Sequence, residues 1–227
     1  MNTPITFQLF AKAPLPGRVK TRLVPALSPS DAALLHVRLV ERTAAAVSAA
    51  CRNLPGAHGE LWGAPDCSDL ALQSIARRHA LRPMTQRGGD LGARMQAALS
   101  TAMPGRAILV GSDWPLVDAD ALAEAAAALL ATPVAFVPAD DGGYTLVGCR
   151  DRVPPCFDGI AWSTSRVMAE TRRLLAAAGI RWSELDPAWD VDTPADLERL
   201  AADPRCTALL EGLARARSDV EIDRQTL

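Results

Sequence analysis

Four cations crowd one short segment near the start of the chain: Lys12, Arg18, Lys20 and Arg22, within FAKAPLPGRVKTRL at 10–23. Like charges at this density repel, so a chain that keeps them together offers them to an anion. Lys supplies a compact point charge and Arg a planar fork, and phosphate oxygens accept both. Pro14, Pro16 and Gly17 bar regular structure and stiffen the segment. The spacing fits neither GxxxxGK[ST] nor GxGxxG, so the two standard phosphate loops are excluded. Of 24 Lys and Arg residues only Lys12 and Lys20 are Lys, and both fall here.

Carboxylates that could answer these cations come later. Asp113 lies in GSDWPL at 111–116, directly after the apolar run AILVG at 107–111. A carboxylate at a strand end beside a phosphate loop suits Mg²⁺ or Mn²⁺, hard cations that share oxygen ligands with phosphates. Asp118 and Asp120 can cap the helix that follows, which leaves Asp113 free. Asp190 and Asp192 in WDVDTP at 189–194 face the same way if extended, one as a helix cap and the other as a metal ligand. Asp141 sits in the turn PADDGGY at 138–144. There Gly142 and Gly143 allow close backbone approach, and Tyr144 is the chain's only Tyr. Trp162 reads as a packing residue in FDGIAWST at 157–164, where Ser163 and Thr164 open a helix. Arg87 and Arg94 flank Asp90, a helix cap, as candidate anion contacts. His36, His58 and His79 read as structural.

The elements that must position these groups alternate between strand and helix patterns. Strands are expected at 5–11, 60–63, 81–86, 107–111, 134–138, 144–148 and 180–185. Helices are expected at about 29–52, 68–79, 90–103, 118–131, 163–178, from 194, and 205–217. Alternation of this kind means α/β with a largely parallel sheet. The turn around Asp141 is too tight for a helical crossover, so one antiparallel pair is expected. In such sheets ligands bind beyond the carboxyl ends of the strands. The segments 12–22, 111–115 and 139–143 fall at that edge.

With 227 residues the chain is long enough for one sizeable core. We read 1–203 as one domain and 204–227 as a C-terminal helix with a frayed tail. A net charge of −2 excludes bulk basicity of the kind that binds nucleic acid, and no polybasic run marks a membrane surface. No 18-residue apolar run or signal-peptide pattern is present. Five Cys without a CxxC pair argue against a disulfide framework and fit a reducing cytoplasm.

Taken in order, FAKAPLPGRVKTRL, GGDLGARM at 88–95, GSDWPL, PADDGGYTLVG at 138–148, IAWST at 160–164 and DVDTPADL at 190–197 resemble a bacterial glycosyltransferase-A-like family. Its members carry the labels arsenosugar-biosynthesis glycosyltransferase and selenodomain-associated transferase. The resemblance covers about residues 5–200. It implies a nucleotide-diphospho-sugar transferase fold: one three-layer α/β/α sandwich on a mostly parallel, mixed sheet. It also implies a metal-dependent transferase that moves a glycosyl group from a nucleotide sugar to a small-molecule acceptor; the alternatives are nucleotidyl transfer from a nucleoside triphosphate to a phosphorylated small molecule and a catalytically inactive nucleotide-binding module. Lys12, Arg18, Lys20, Arg22 and Arg87 would bind the nucleotide phosphates. Asp113 would stand at the family's metal carboxylate; position 111 is Gly, so the usual pair is incomplete and Asp192 becomes the candidate second ligand to Mg²⁺ or Mn²⁺. Asp113 and Asp141 would be catalytic, and Gly142, Gly143, Tyr144 and Trp162 would line the acceptor pocket. The first loop also resembles that of guanylyltransferases acting on phosphorylated small acids.

Overall fold

A computed structural model describes residues 4–24 and 26–213. The strand β1 (Ile5–Lys12) lies inside a seven-stranded sheet with β2 (His58–Ala64), β3 (Arg82–Thr85), β4 (Arg106–Gly111), β5 (Val134–Pro138), β6 (Tyr144–Arg150) and β7 (Trp182–Glu184). The order across the sheet is β3-β2-β1-β4-β6-β5-β7. Strands β1, β2, β3 and β4 are mutually parallel, and β6 runs antiparallel to both neighbours. The tight turn at 139–143 therefore makes a hairpin of β5 and β6, as its length required.

Period-two alternation in β1 feeds two separate cores. Ile5, Phe7 and Leu9 point to one face, where they meet Val40 and Val47 of α1 (Pro29–Asn53) and Leu122 and Leu129 of α4 (Ala119–Ala131). Phe10 points to the other, with Met95 of α3 (Leu91–Ser100) and Met168 and Leu175 of α5 (Val167–Ala177). The short α2 (Leu70–Arg78) covers β2 on the first face. Helices on both faces of a mixed sheet give the three-layer α/β/α arrangement.

A third cluster joins the amino-terminal half of α1 to α6 (Pro194–Ala202) and α7 (Thr207–Leu210) through Leu35, Leu39, Leu197, Leu200 and Leu209. Arg42 of α1 donates to the carbonyls of Pro115 and Arg205, the latter at 2.7 Å. Residues 204–210 thus pack on the sheet domain. The helix expected at 205–217 is a 3₁₀ turn at 204–206 followed by the four residues of α7, and its end lies outside the described residues. The helix expected from Ser163 instead starts at Val167, because Ser163 adopts φ 64° in the left-handed region. Strand 180–185 shrinks to Trp182–Glu184. Among the described residues no helix is long and apolar enough to cross a membrane.

Gly142 locks the hairpin onto the start of α5. Its φ is +89°, a Cβ there would lie 2.2 Å from the Ser165 carbonyl oxygen, and its own carbonyl accepts from Met168 N–H at 2.9 Å. Gly142→Ala should therefore lower stability by roughly 2 kcal/mol or more, combining left-handed strain with a backbone clash. Urea denaturation checks this, and an unchanged midpoint contradicts it.

Candidate functional site

The carboxyl edge of the sheet opens into a cleft of about 490 Å³. Its lining brings together Lys12, Arg18, Lys20, Arg22, Asp113, Asp141, Gly143, Tyr144, Trp162 and Asp192 from segments far apart in sequence. Each arrives on the end of a strand or on the loop that follows it. Tyr144 begins β6, but that strand is antiparallel, so its first residue meets the others' last. Arg87 is exposed and does not line the cleft, and neither does Gly142.

Lys20 is the pivot. Its backbone sits at φ 49°, a left-handed conformation that costs a non-glycine residue about 1–2 kcal/mol. Its side chain is only 3% exposed, and its ammonium pairs with Asp113 Oδ1 at 2.7 Å while donating to the Val191 carbonyl at 2.5 Å. Val191 N–H donates in turn to the Asp113 carbonyl at 3.0 Å. The cation loop, the segment after β4 and the segment before α6 are thus tied at one point.

Burial would raise the Asp113 carboxyl, but the adjacent Lys20 ammonium and hydrogen bonds from Lys20 and Ser112 outweigh it and hold the group below the usual carboxylate range. Asp113 is therefore a carboxylate at neutral pH, with 47% of its side chain open to the cleft. Asp190 is the opposite case. Burial first, then the charges of Asp141 and Asp113, push its carboxyl up to about 6. Asp113, Asp141 and Asp190 are therefore near enough to repel, and Lys20 compensates them only in part.

Neither Asp190 nor Asp192 caps the helix, which corrects the expectation that one of them would. Thr193 is the N-cap of α6, and Asp196 closes a capping box with it. The Asp196 carboxylate accepts from the backbone N–H of Asp192 at 3.1 Å and of Thr193 at 2.7 Å. Both upstream carboxylates are thereby released to the cleft. Asp192 pairs with Arg22 at 2.7 Å on the exposed rim. Asp141 accepts from Gly143 N–H at 2.8 Å, which fixes its carboxylate at the turn.

Sequence reasoning passed over two cleft residues. His36 lies among apolar positions of α1 and reads there as a core residue. In the fold its Nε2 bonds the Lys12 carbonyl at 3.0 Å, so that nitrogen carries the proton. Burial lowers the ring's pKa, leaving it neutral with Nδ1 unpartnered 4.0 Å from Asp113. Asp190 carried a visible signal, the Asp-x-Asp spacing, but the capping expectation concealed it. Tyr144 packs on Phe136 and against the edge of Trp162, and burial raises its phenol well above the ordinary value. Its hydroxyl is buried and has no hydrogen-bond partner among the described residues.

A family model described as an uncharacterized protein conserved in bacteria (DUF2064) matches residues 46–164. The chain is 30% identical to a candidate nucleotide-diphospho-sugar transferase of known structure from Desulfovibrio desulfuricans G20. That superposition has a TM-score of 0.79 and covers 91% of this chain and 93% of the other. It is 28% identical over 192 residues to a phosphoenolpyruvate guanylyltransferase of Sphaerobacter thermophilus, covering 80% of this chain and 86% of the relative. The 4-diphosphocytidyl-2C-methyl-D-erythritol synthase of Anaerococcus prevotii DSM 20548 superposes with a TM-score of 0.56 at 10% identity, covering 87% and 96%, and that likeness is one of fold.

The Asp190 shift carries a pH signature. Unfolded, this carboxyl titrates near 3.8; folded, it holds its proton to about 6. Its contribution to stability is therefore full below about pH 4 and is lost as pH rises to 6. Asp190→Asn should flatten that fall and raise the denaturation midpoint at pH 7. A midpoint at pH 7 equal to or below that of the wild type contradicts this reading.

Proposed function

This chain belongs to the bacterial DUF2064 family and has the nucleotide-diphospho-sugar transferase fold, and from that premise we propose that it is a nucleotidyltransferase joining a nucleoside triphosphate to a small phosphorylated or carboxylated acceptor. One observation carries the reading. All four cations of the first loop line one cleft with Asp113. A triphosphate brings about twice the charge of a nucleotide sugar's diphosphate; Lys20 and Arg22 already have carboxylate partners, and Lys12 and Arg18, without an ion pair among the described residues, are the charges left to meet it. The guanylyltransferase relative supports the same chemistry.

In this reading an acceptor oxyanion attacks the α-phosphorus. The bond from that phosphorus to the bridging oxygen breaks, and pyrophosphate leaves with the electron pair. An acceptor that is already anionic needs no proton removed. The demand on the protein is to place two anions in line and to stabilise the charge on the departing pyrophosphate. Lys12 and Arg18 hold the β- and γ-phosphates, and Arg22, paired with Asp192 at the rim, offers them the rest of its fork. Lys20 neutralises the oxygens nearest Asp113. Tyr144, Gly143 and Trp162 bound the acceptor side.

The residues present fit a divalent cation. Burial first, and then the charges of Asp141 and Asp113, keep Asp190 protonated up to about pH 6, and a bound cation would offset both. Among the described residues no cluster of three or more metal-ligating side chains exists. Asp113 and Asp190 would therefore hold Mg²⁺ or Mn²⁺ with phosphate and water oxygens completing the shell, and Asp192 would stay with Arg22. The ion would add charge stabilisation on the phosphates.

Glycosyl transfer from a nucleotide sugar is the second reading, and the Desulfovibrio relative favours it. There Asp141, fixed at the turn, would take the proton from an acceptor hydroxyl. Product analysis separates the two: pyrophosphate release supports nucleotidyl transfer, and free nucleoside diphosphate supports glycosyl transfer. Within either reading the two lysines act as compact charges. Lys20 is enclosed on all sides, so Lys20→Arg should lower triphosphate affinity by about tenfold or more through overpacking and loss of the Asp113 geometry. Lys12→Arg should weaken it less, because Lys12 is exposed at the end of β1. Unchanged affinity in both variants would remove the lysines from the phosphate site.

A further inference from the structure

Gln86 follows β3 at the edge of the cleft, and the chemistry above makes no use of it. Its backbone N–H donates to the Gly63 carbonyl at 3.0 Å. Its side-chain Nε2 donates to the Trp62 carbonyl at 2.8 Å and to the Ala11 carbonyl at 3.2 Å. An amide nitrogen has two hydrogens, and carbonyls only accept, so both hydrogens are committed and the orientation of the amide is fixed. Oε1 is the polar atom left over, with no hydrogen-bond partner among the described residues. The sequence places a Gln here; the fold turns it into a rigid group that can only accept.

Position gives that acceptor a target. Ala11 belongs to β1 and Trp62 to β2, so Gln86 bridges the tips of these two strands. It lies on the flank of Lys12 away from β4 and Asp113. Asp141, Tyr144 and Asp190 lie toward the opposite flank, beyond β4. A nucleoside triphosphate with its phosphates over Lys12 and Asp113 has a flank for its base and a flank for its acceptor. The flank crowded with carboxylates and bounded by Tyr144 is the one already given to the acceptor, which leaves Gln86 to the base; Trp162 packs against Gly92 beside Leu91 and so belongs to neither flank alone. Leu91, a large apolar residue 44% exposed at the start of α3, lines the same cleft and offers a surface for a flat ring.

We propose that Gln86 Oε1 reads the nucleotide base and selects guanine; this rests on the nucleotidyltransferase reading. Guanine sets two donors side by side on one edge, its ring N1–H and its 2-amino group. One carbonyl-type oxygen with two free lone pairs can accept from both. Adenine and cytosine place an amino group beside an acceptor ring nitrogen, and uracil flanks a single N–H with two carbonyls. Those acceptors meet Oε1 with like partial charge. A site built around a fixed hydrogen-bonding group discriminates strongly against an analogue that cannot engage it.

Calorimetric titration of the full chain with GTP, ITP and CTP in the presence of Mg²⁺ tests the proposal. ITP differs from GTP only by lacking the 2-amino group. The wild type should bind GTP about tenfold more tightly than ITP, the scale of one lost hydrogen bond to a fixed partner. Gln86→Met should bring the GTP to ITP ratio toward one. Equal binding of GTP and ITP by the wild type overturns the proposal without any variant, and so does a preference for GTP that persists in Gln86→Met. If the wild type binds no triphosphate at all, the nucleotidyltransferase reading fails and takes this inference with it. Triphosphate binding that is blind to the base sinks the inference alone.

Discussion

The ion pair between Lys20 and Asp113 is the point on which the site depends. It joins the cation loop to the end of β4, and the Val191 carbonyl extends the tie to the segment before α6. Three stretches that the chain lays down far apart are thereby held at one depth in the cleft. The left-handed backbone at Lys20 is the strain this arrangement carries, and two strong interactions of the ammonium outweigh it. Strain of this kind persists where the surroundings over-determine a residue, and here it coincides with the centre of charge.

The sheet explains why the charges converge there. Parallel strands β1 and β4 end side by side, with Phe10 opposite Gly111 in the register, so the loops after both strands open on the same edge. The antiparallel β6 brings Tyr144 to that edge from the other direction. Carboxylates then outnumber the cations buried among them. Burial, and then the charges of Asp141 and Asp113, push Asp190 up to about 6. The arrangement awaits positive charge near Asp190 and negative charge near the exposed cations Lys12, Arg18 and Arg22, which is what a metal-bound nucleotide supplies.

Much of this was legible in the residues themselves. The bias to Arg elsewhere made Lys12 and Lys20 stand out, and the Pro- and Gly-rich context showed that they belong to a loop. The short apolar run before Asp113 placed that carboxylate at a strand end, and the brevity of the 139–143 turn required a hairpin. Other features depend on contacts that no local pattern encodes. The role of Asp190 hinged on which residue caps α6, and a capping box at Thr193 and Asp196 settled it. His36 looks like any buried residue of an amphipathic helix until β1 delivers the Lys12 carbonyl to its ring. The orientation of Gln86 is set by two carbonyls from two other strands. Gly142 was read for its closeness to a ligand, whereas its close approach is to Ser165 in its own chain.

The most direct measurement is titration of Mg²⁺ and a nucleoside triphosphate into the wild type and Asp113→Asn, with thermal melting to confirm that both are folded. The account predicts metal-dependent binding by the wild type and, with the metal present, a loss of about tenfold or more in Asp113→Asn, because the carboxylate that organises Lys20 and would hold the cation against the phosphates has been neutralised. Equal affinity in the two folded proteins, with or without the metal, would contradict it.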